Sequence, residues 1–551
     1  MRLSSTFVAL ALTAVTLAGC TSSTQTSSQP GASTGNAGNG KPTYGGTLKI
    51  GSYITADTIV PIYAHSEGSQ NILGFLYDAL VNVDPDFHVV PWLAKSWELS
   101  KDGRTYTFYL RHDATWSDGV PITSADVKFE YDLTTNPASG ASYRGDYDVV
   151  QSVRTPDKWT VVYALKEPNA PFLAAVLGGP FSPHCPLPVH VYGKIPPGQL
   201  QHMDLSKHLV TSGPYSLAEW KHDDHFLLSS NKRWWKGRPY IDSVYVKEYQ
   251  NEPAVQIALQ NGDIDTSFAL PSTTWLRLKD DARFVGIHNP SDQFNMYAIN
   301  MRNPILADIN VRKAVMYAYD RKTEAEKLFH NEDIPTFSPI PMAIRWAYDP
   351  STEKAYAFDP QKAAKLLDDD GWKTGSDGYR HKAGKLLAFT TSLIAGSDVS
   401  TKSFELFQAD LKNVGIKTSA RAYEFNVFFN NEQKGDFDVG AGGFGGAADP
   451  DPFQLLSSKA WAPNGLNYGQ YSNAQMDDLI NQGRRISDPA KRKALYLKLQ
   501  QLVVDQVPEF FDVAPYYRVF INKRILGVNP SHGGSQFSAT MYDEPSWYIA
   551  Q

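Results

Sequence analysis

From Tyr44 onward the apolar residues follow two alternating spacings. Short runs such as Thr47-Leu48-Lys49-Ile50, Tyr106-Thr107-Phe108-Tyr109-Leu110, residues 159–165 and Val244-Tyr245-Val246 are β-branched or aromatic and bounded by Gly, Asp or Pro, which predicts short strands. Between them apolar residues recur every three or four positions. Ala363, Ala364 and Leu367 follow Asp359-Pro360 and precede Gly371. Asp accepts from the unpaired N–H groups of a helix start, Pro needs no donor in the first turn, and Gly tolerates the left-handed exit. A helix opening at Pro360 is therefore predicted. Asp488-Pro489 repeats the opening ahead of Leu495, Leu499 and Leu502, and Phe404, Phe407 and Leu411 lead to Gly415. The chain reads as α/β, without a long heptad run.

The first 43 residues break this pattern. Arg2, an apolar stretch from Phe7 to Leu17, and then Leu17-Ala18-Gly19-Cys20 have the layout of a secretory signal in which small residues precede a cysteine, as in a bacterial lipobox. The apolar stretch is too short to span a bilayer of roughly 30 Å as a stable helix. The expectation is a signal peptide at 1–19, a lipidated Cys20, and a flexible tether over 20–43. Residues 21–43 carry no large apolar side chain, so they bury too little surface to offset their ordering entropy. As a coil such a tether reaches about 25 Å.

Composition narrows the class. The 551 residues carry 52 basic and 58 acidic side chains, a net charge of −6, with 42% apolar residues, 20% charged residues and a mean hydropathy of −0.35. That is too apolar for wholesale disorder and too polar for a polytopic membrane protein. A mild negative charge offers no global attraction for phosphate backbones, so nucleic acid is a poor partner. The length suggests two to four domains of about 150 residues. Of the two cysteines, Cys20 goes to the lipid, which leaves Cys185 without an intramolecular partner.

Enzyme signatures are scarce. There is no His-Glu-x-x-His and no Walker loop. Gly440-Ala441-Gly442-Gly443-Phe444-Gly445 has the spacing of a dinucleotide fingerprint and follows a plausible strand, but the helix that should receive the pyrophosphate is replaced by Ala447-Ala448-Asp449-Pro450-Asp451-Pro452. The glycines are expected instead to let backbone approach a strand or a ligand. His184-Cys185 with His190 fits no common zinc spacing and reads as a packed thiol in a proline-rich loop. His222-Asp223-Asp224-His225 reads as a polar hairpin tip, and Asp368-Asp369-Asp370 as solvated charge closing a helix. Trp234 and Trp235 read as structural. Trp461 and Tyr468, among Pro463, Asn464, Gly465 and Asn467, sit in a loop of the kind that carries binding residues.

Several strings, in order along the chain, carry a resemblance. Residues 111–127, with Trp116-Ser117-Asp118-Gly119 and Ile122-Thr123-Ser124-Ala125-Asp126-Val127, look like the signature region of the family 5 extracellular solute-binding proteins, the peptide/nickel-type receptors of ABC importers. Leu76-Tyr77-Asp78-Ala79-Leu80-Val81, Pro91-Trp92-Leu93-Ala94-Lys95-Ser96-Trp97, Thr211-Ser212-Gly213-Pro214-Tyr215, the Trp234-Trp235 string, Asn310-Val311-Arg312-Lys313-Ala314-Val315 and Asn467-Tyr468-Gly469-Gln470-Tyr471-Ser472-Asn473 are similar to the same family. By itself the Trp116–Gly119 string reads as a turn, with Thr123 or Ser124 capping the helix of Val127 and Tyr131, so it is a structural marker.

The resemblance implies a two-lobed, periplasmic-binding-protein-like (class II type) α/β fold. Lobe I would comprise about 44–288 plus 512–551 with an extra subdomain near 71–205, and lobe II about 289–511, hinged near 286–292 and 511–515. Its cleft would be lined by Ser52 and Tyr53 after the first strand, Phe444, Gly445, Gly446, Trp461, Asn467, and Tyr516 beyond the hinge. The implied ligand is an oligopeptide, then an oligosaccharide, then nickel or a metal chelate. In peptide binders of the family an aspartate four residues before the proline of the Asp449-Pro450 loop pairs with the peptide's amine; here that position is Gly446, with Asp449 or Asp451 as substitutes if they are not committed to capping. No catalytic residue, metal or cofactor is expected. The implied partners are an ABC permease and ATPase complex, with the membrane reached through the lipid anchor only. The chain is expected to be a monomer outside the cytoplasm, with a peptide-sensing receptor as the alternative role.

Overall fold

The computed structural model describes residues 41–550, apart from 65, 180–182, 204–208, 269, 446–447, 463–464 and 531–543. The expected signal peptide, Cys20 and nearly all of the tether lie outside the described residues, as does Gly446. No helix among the described residues is long and apolar enough to cross a membrane.

Strand Thr47–Ser52 forms where Leu48 and Ile50 alternate with Thr47 and Lys49. It runs parallel to Ser243–Glu248, with Leu48 opposite Val244 and Ile50 opposite Val246, all four buried. Thr266–Ser267 joins in parallel on its other side, and the antiparallel strands His225–Ser230 and Tyr215–Lys221 complete a five-stranded sheet. The turn between the last two holds His222 and Asp223, with Asp223 in the left-handed region (φ 58°) and Lys221 paired to Asp224 at 2.9 Å.

A four-stranded antiparallel sheet, in the order Ala94–Leu99, Thr105–Leu110, Thr160–Leu165, Val150–Asp157, forms a subdomain with helix Ser124–Thr135. Phe108, Leu110, Val127, Val161 and Tyr163 fill the space between them. Trp116 is fully buried, Gly119 N–H donates to its carbonyl at 2.8 Å with Gly119 at φ +93°, and Thr123 and Asp126 form a reciprocal capping box. The family-like string is thus a turn and a helix start. Asp78 ties the subdomain to the first sheet. Its buried carboxylate accepts from three indoles: Trp92 Nε1 at 2.7 Å, and Trp234 and Trp235 Nε1 at 2.9 Å each. Burial pushes Asp78 up to about 6, against the pull of the indole donors and Lys236.

The second five-stranded sheet has the order Lys417–Tyr423, Ala388–Ile394, Val439–Gly445, Gln293–Ile299, Phe510–Phe511. Helices Pro360–Asp369, Asp398–Asn413 and Pro489–Gln506 appear where the spacing placed them. Asp359 accepts from Lys362 N–H at 2.9 Å and Asp488 from Lys491 N–H at 3.0 Å. Gly371 and Gly415 leave their helices at φ +90° and +80°. Phe404, Phe407, Leu411, Leu499 and Leu502 join one core with Phe294 and Ile299.

The two sheets centre two lobes. Between them runs an antiparallel ribbon, Phe284–Pro290 with Tyr516–Asn522. At its end Ser291 N–H donates to Pro515 carbonyl at 3.1 Å, after which Gln293–Ile299 enters the second sheet, while Phe510–Phe511 leaves it.

Candidate functional site

In α/β sheets ligands meet the carboxyl ends of parallel strands. In the first lobe that end carries Ser52 and Tyr53. Ser52 is buried, its hydroxyl donating to Ile54 carbonyl at 2.8 Å and accepting from Ile54 N–H at 3.2 Å. Tyr53 beside this turn is 39% exposed. Partial burial, with Glu252 and Glu67 nearby, pushes its hydroxyl up to about 12.

In the second lobe, strand Val439–Gly445 pairs along its whole length with Gln293–Ile299 but with Ala388–Ile394 only at Val439 and Gly440. Among the described residues, 441–445 have no strand neighbour on that side. Gly442, Gly443 and Gly445 are exposed, and Phe444 packs on Phe294 at 5.8 Å. The glycine string with fingerprint spacing is therefore a strand that presents main chain, and the next helix begins only at Phe453.

Tyr516 begins the second strand of the ribbon opposite Pro290, and its N–H donates to Asp333 Oδ1 at 3.2 Å. Its ring lies parallel to His288 at 4.4 Å, and the stack continues through Trp275 to Phe520, each step at 4.8 Å. His288 Nε2 is 2.8 Å from Glu332, and Arg518, itself buried, pairs with Asp333 and donates to Glu332 carbonyl at 2.6 Å. Burial raises Tyr516, Glu353 and Glu332 reinforce the rise, and Arg345 opposes it.

The loop at 457–471 places the remaining residues. Trp461 is 37% exposed and donates Nε1–H to Tyr471 carbonyl at 2.9 Å. Asn467 is fully buried. Its amide donates to Ser457 carbonyl at 3.0 Å and Tyr471 carbonyl at 2.9 Å, and its Oδ1 accepts Tyr471 N–H at 2.9 Å, so both amide protons hold the loop in shape. Burial pushes Tyr468 up to about 12, with Glu432 adding to the rise. Phe444 and Gly445 share one strand, Ser52 and Tyr53 end another, and Tyr516 stands at the ribbon. A recess of about 360 Å³ and another of about 770 Å³ are lined by other residues, with Ser52, Tyr53, Phe444, Gly445, Trp461, Asn467 and Tyr516 in neither lining.

The two acids after Gly446 are both engaged. Asp449 is buried and takes Arg492 in two parallel bonds of 2.8 and 2.6 Å, not a helix cap. Asp451, one residue before the N-cap Pro452, accepts Phe453 N–H at 3.2 Å and lies 3.2 Å from Arg484; burial pushes it up to about 6. Cys185 is buried, and His184 beside it contacts Glu130 at 3.0 Å and Asp146 at 3.1 Å. Among the described residues no group of three or more His, Cys, Asp or Glu is placed to hold a metal ion. Arg492, His288, Asp333 and Arg518 went unread in the sequence. The Asp449–Arg492 pair joins positions 43 residues apart, and no local spacing links them.

Three comparisons bear on this arrangement. The family model of the bacterial extracellular solute-binding proteins, family 5 Middle, matches residues 88–464. The oligopeptide-binding protein AppA of Bacillus subtilis (strain 168) is 26% identical over 522 residues, 93% of each chain, and its structure with a nonapeptide superposes with a TM-score of 0.77 over 93% of this chain and 100% of AppA. A Brucella ovis protein named for ABC transporter peptide binding is 30% identical over 414 residues, 74% of this chain and 76% of its own. NikZ of Campylobacter jejuni, solved with Ni(L-His), has a TM-score of 0.76 at 23% identity, over 91% of this chain and 99% of its own, a likeness of fold alone.

Proposed function

The chain belongs to the bacterial extracellular solute-binding proteins of family 5, and on that premise we propose that it captures oligopeptides between its lobes and delivers them to an ABC importer. The observation that carries the peptide reading is the side of residues 441–445 that has no strand partner among the described residues. An extended peptide can add there as a strand, read through main-chain hydrogen bonds with little regard to its side chains. Ser52, Tyr53, Phe444, Gly445, Gly446, Trp461 and Tyr516 would border it, with Asn467 shaping the loop of Trp461. Asp449 and Asp451 are engaged elsewhere, so the peptide's amine is not their charge to neutralise.

The proposed lobes are about 44–288 plus 512–551 for lobe I, with the subdomain near 71–205, and about 289–511 for lobe II; the two chain crossings beside the ribbon support this division. A ligand touching both lobes favours the closed form by its differential affinity, and an importer can select that form. The signal at 1–19, lipidated Cys20 and tether would hold a monomer at the outer face of a membrane, releasing its solute unaltered. Oligosaccharide is the second reading, favoured by the exposed rings of Tyr53 and Trp461, which suit stacking on sugar faces.

Thermal shift of residues 41–551 against peptide and oligosaccharide libraries tests this. A ligand at a hundredfold excess over Kd stabilises by about 2.7 kcal/mol. A peptide hit whose alternate amides are N-methylated should lose at least about tenfold in affinity, a 1.4 kcal/mol change. A library in which only glycans raise the melting temperature overturns the peptide reading.

A further inference from the structure

We infer that the recess between the subdomain and lobe II is a second binding site, for a small uncharged aromatic molecule, and that closure of the lobes builds it. One wall is Phe87, Trp97 and Tyr106 of the subdomain; the other is Trp346, Asp449 and Arg492 of lobe II. The volume, about 360 Å³, falls within the range of small-molecule pockets. It is room for about a dozen waters at roughly 30 Å³ each.

The wall chemistry selects the occupant. Four aromatic side chains line one recess, and rings of that kind favour another ring set edge-on or offset against them. The charges it contains are already satisfied. Arg492 makes its two bonds to Asp449, donates Nη2–H to the Tyr496 hydroxyl at 2.7 Å and Nε–H to Gly483 carbonyl at 3.0 Å. An anionic ligand would have to displace Asp449, and a cationic one Arg492. Uncharged ligands face neither cost.

Closure enters through the contacts near this recess, among them Phe87, which packs into the lobe II core. Ala170, which lines it, donates its N–H to Arg484 carbonyl at 2.6 Å, and Arg485 reaches Glu167 at 3.3 Å. Both join the subdomain to lobe II, and opening the lobes would part these contacts and separate the two walls. An occupant is thus linked to whatever fills the cleft: each favours the closed form, so each tightens the other by the same factor. That linkage rests on the proposed cleft; the site itself does not.

The test uses 5-fluoroindole followed by ¹⁹F NMR on residues 41–551. Saturable binding is expected, weakened at least about tenfold by Leu173→Trp, which fills the recess, and by Trp97→Ala, which removes a wall. Circular dichroism checks each fold, and either variant alone suffices if the other misfolds. Indole-3-acetate, the charged analogue, should bind more weakly than indole. Absent binding, or binding unchanged in the folded variants, overturns the site, and tighter binding of the acetate overturns the uncharged class. Where a cleft peptide is in hand, 5-fluoroindole should lower its Kd; an unchanged value overturns the linkage. Indole binding without any peptide hit leaves this site standing and removes the peptide reading, whereas the converse removes only this site.

Discussion

At the ribbon the chain crosses between the lobes twice, beside a lobe I ring stack running from Phe520 through Trp275 and His288 to Tyr516, and the buried Arg518–Asp333 pair ties one lobe to the other. At the recess they meet through Val83 and Phe87, which pack into the lobe II core, one backbone hydrogen bond from Ala170, and an ion pair, Glu167–Arg485, whose side chains are 58% and 59% exposed. The first joint is covalent and holds its ion pair buried; the second is thinner, with no covalent link and its ion pair exposed. Exposed ion pairs contribute roughly 0–1 kcal/mol, whereas a buried pair broken from one side exposes the fold to an uncompensated charge. If the proposed lobes part, one joint is therefore expected to persist while the other gives way.

The contrast breaks most sharply at Arg518. Arg518→Ala leaves Asp333 buried and unpaired, with an expected loss of about 3–5 kcal/mol by urea denaturation. Next comes Gly286→Ala, whose added carbon would stand 2.6 Å from the Trp275 ring. Overpacking of that kind costs about 1–3 kcal/mol. The same melts read it.

Acid gives a smaller, signed effect. Burial holds His288 below its ordinary 6.5, with Glu332 pulling the other way. The unfolded chain takes up that proton first, so stability is full above pH 6.5 and falls as pH drops through 6.5 toward the folded value. His288→Gln should flatten that slope in melts from pH 7.5 to 5. The least effect is expected at the thin joint. Glu167→Ala should change global stability by less than about 0.5 kcal/mol. If scattering of the ligand-free protein then shows a larger radius of gyration, this joint is the one that parts; a loss of several kcal/mol would erase the contrast.

What the sequence disclosed was local. Asp359 and Asp488 cap because the residues they serve lie three positions on, and Leu48 and Ile50 are buried because a strand alternates. Trp116 through Asp126 could be read as turn and cap for the same reason. The strand status of 440–445 was half legible: the missing helix argued against a nucleotide loop, but the side left without a partner depends on Ala388–Ile394 diverging from it after Ser392. Asp449 was read as a cap or an anchor and is instead the partner of Arg492, a choice made by tertiary packing across 43 residues. Asn467, polar and loop-borne, looked like a ligand contact, yet the loop folds back on its own amide.

The carboxylate of Asp78, gripped by indoles from both sides of the boundary between subdomain and first sheet, has a mechanical consequence. If the proposed lobes are drawn apart, this grip makes the subdomain travel with its own half as a stiff lever arm. Load would then fall on Ala170 and Glu167 at the far tip, with the torque borne by the ribbon around Tyr516.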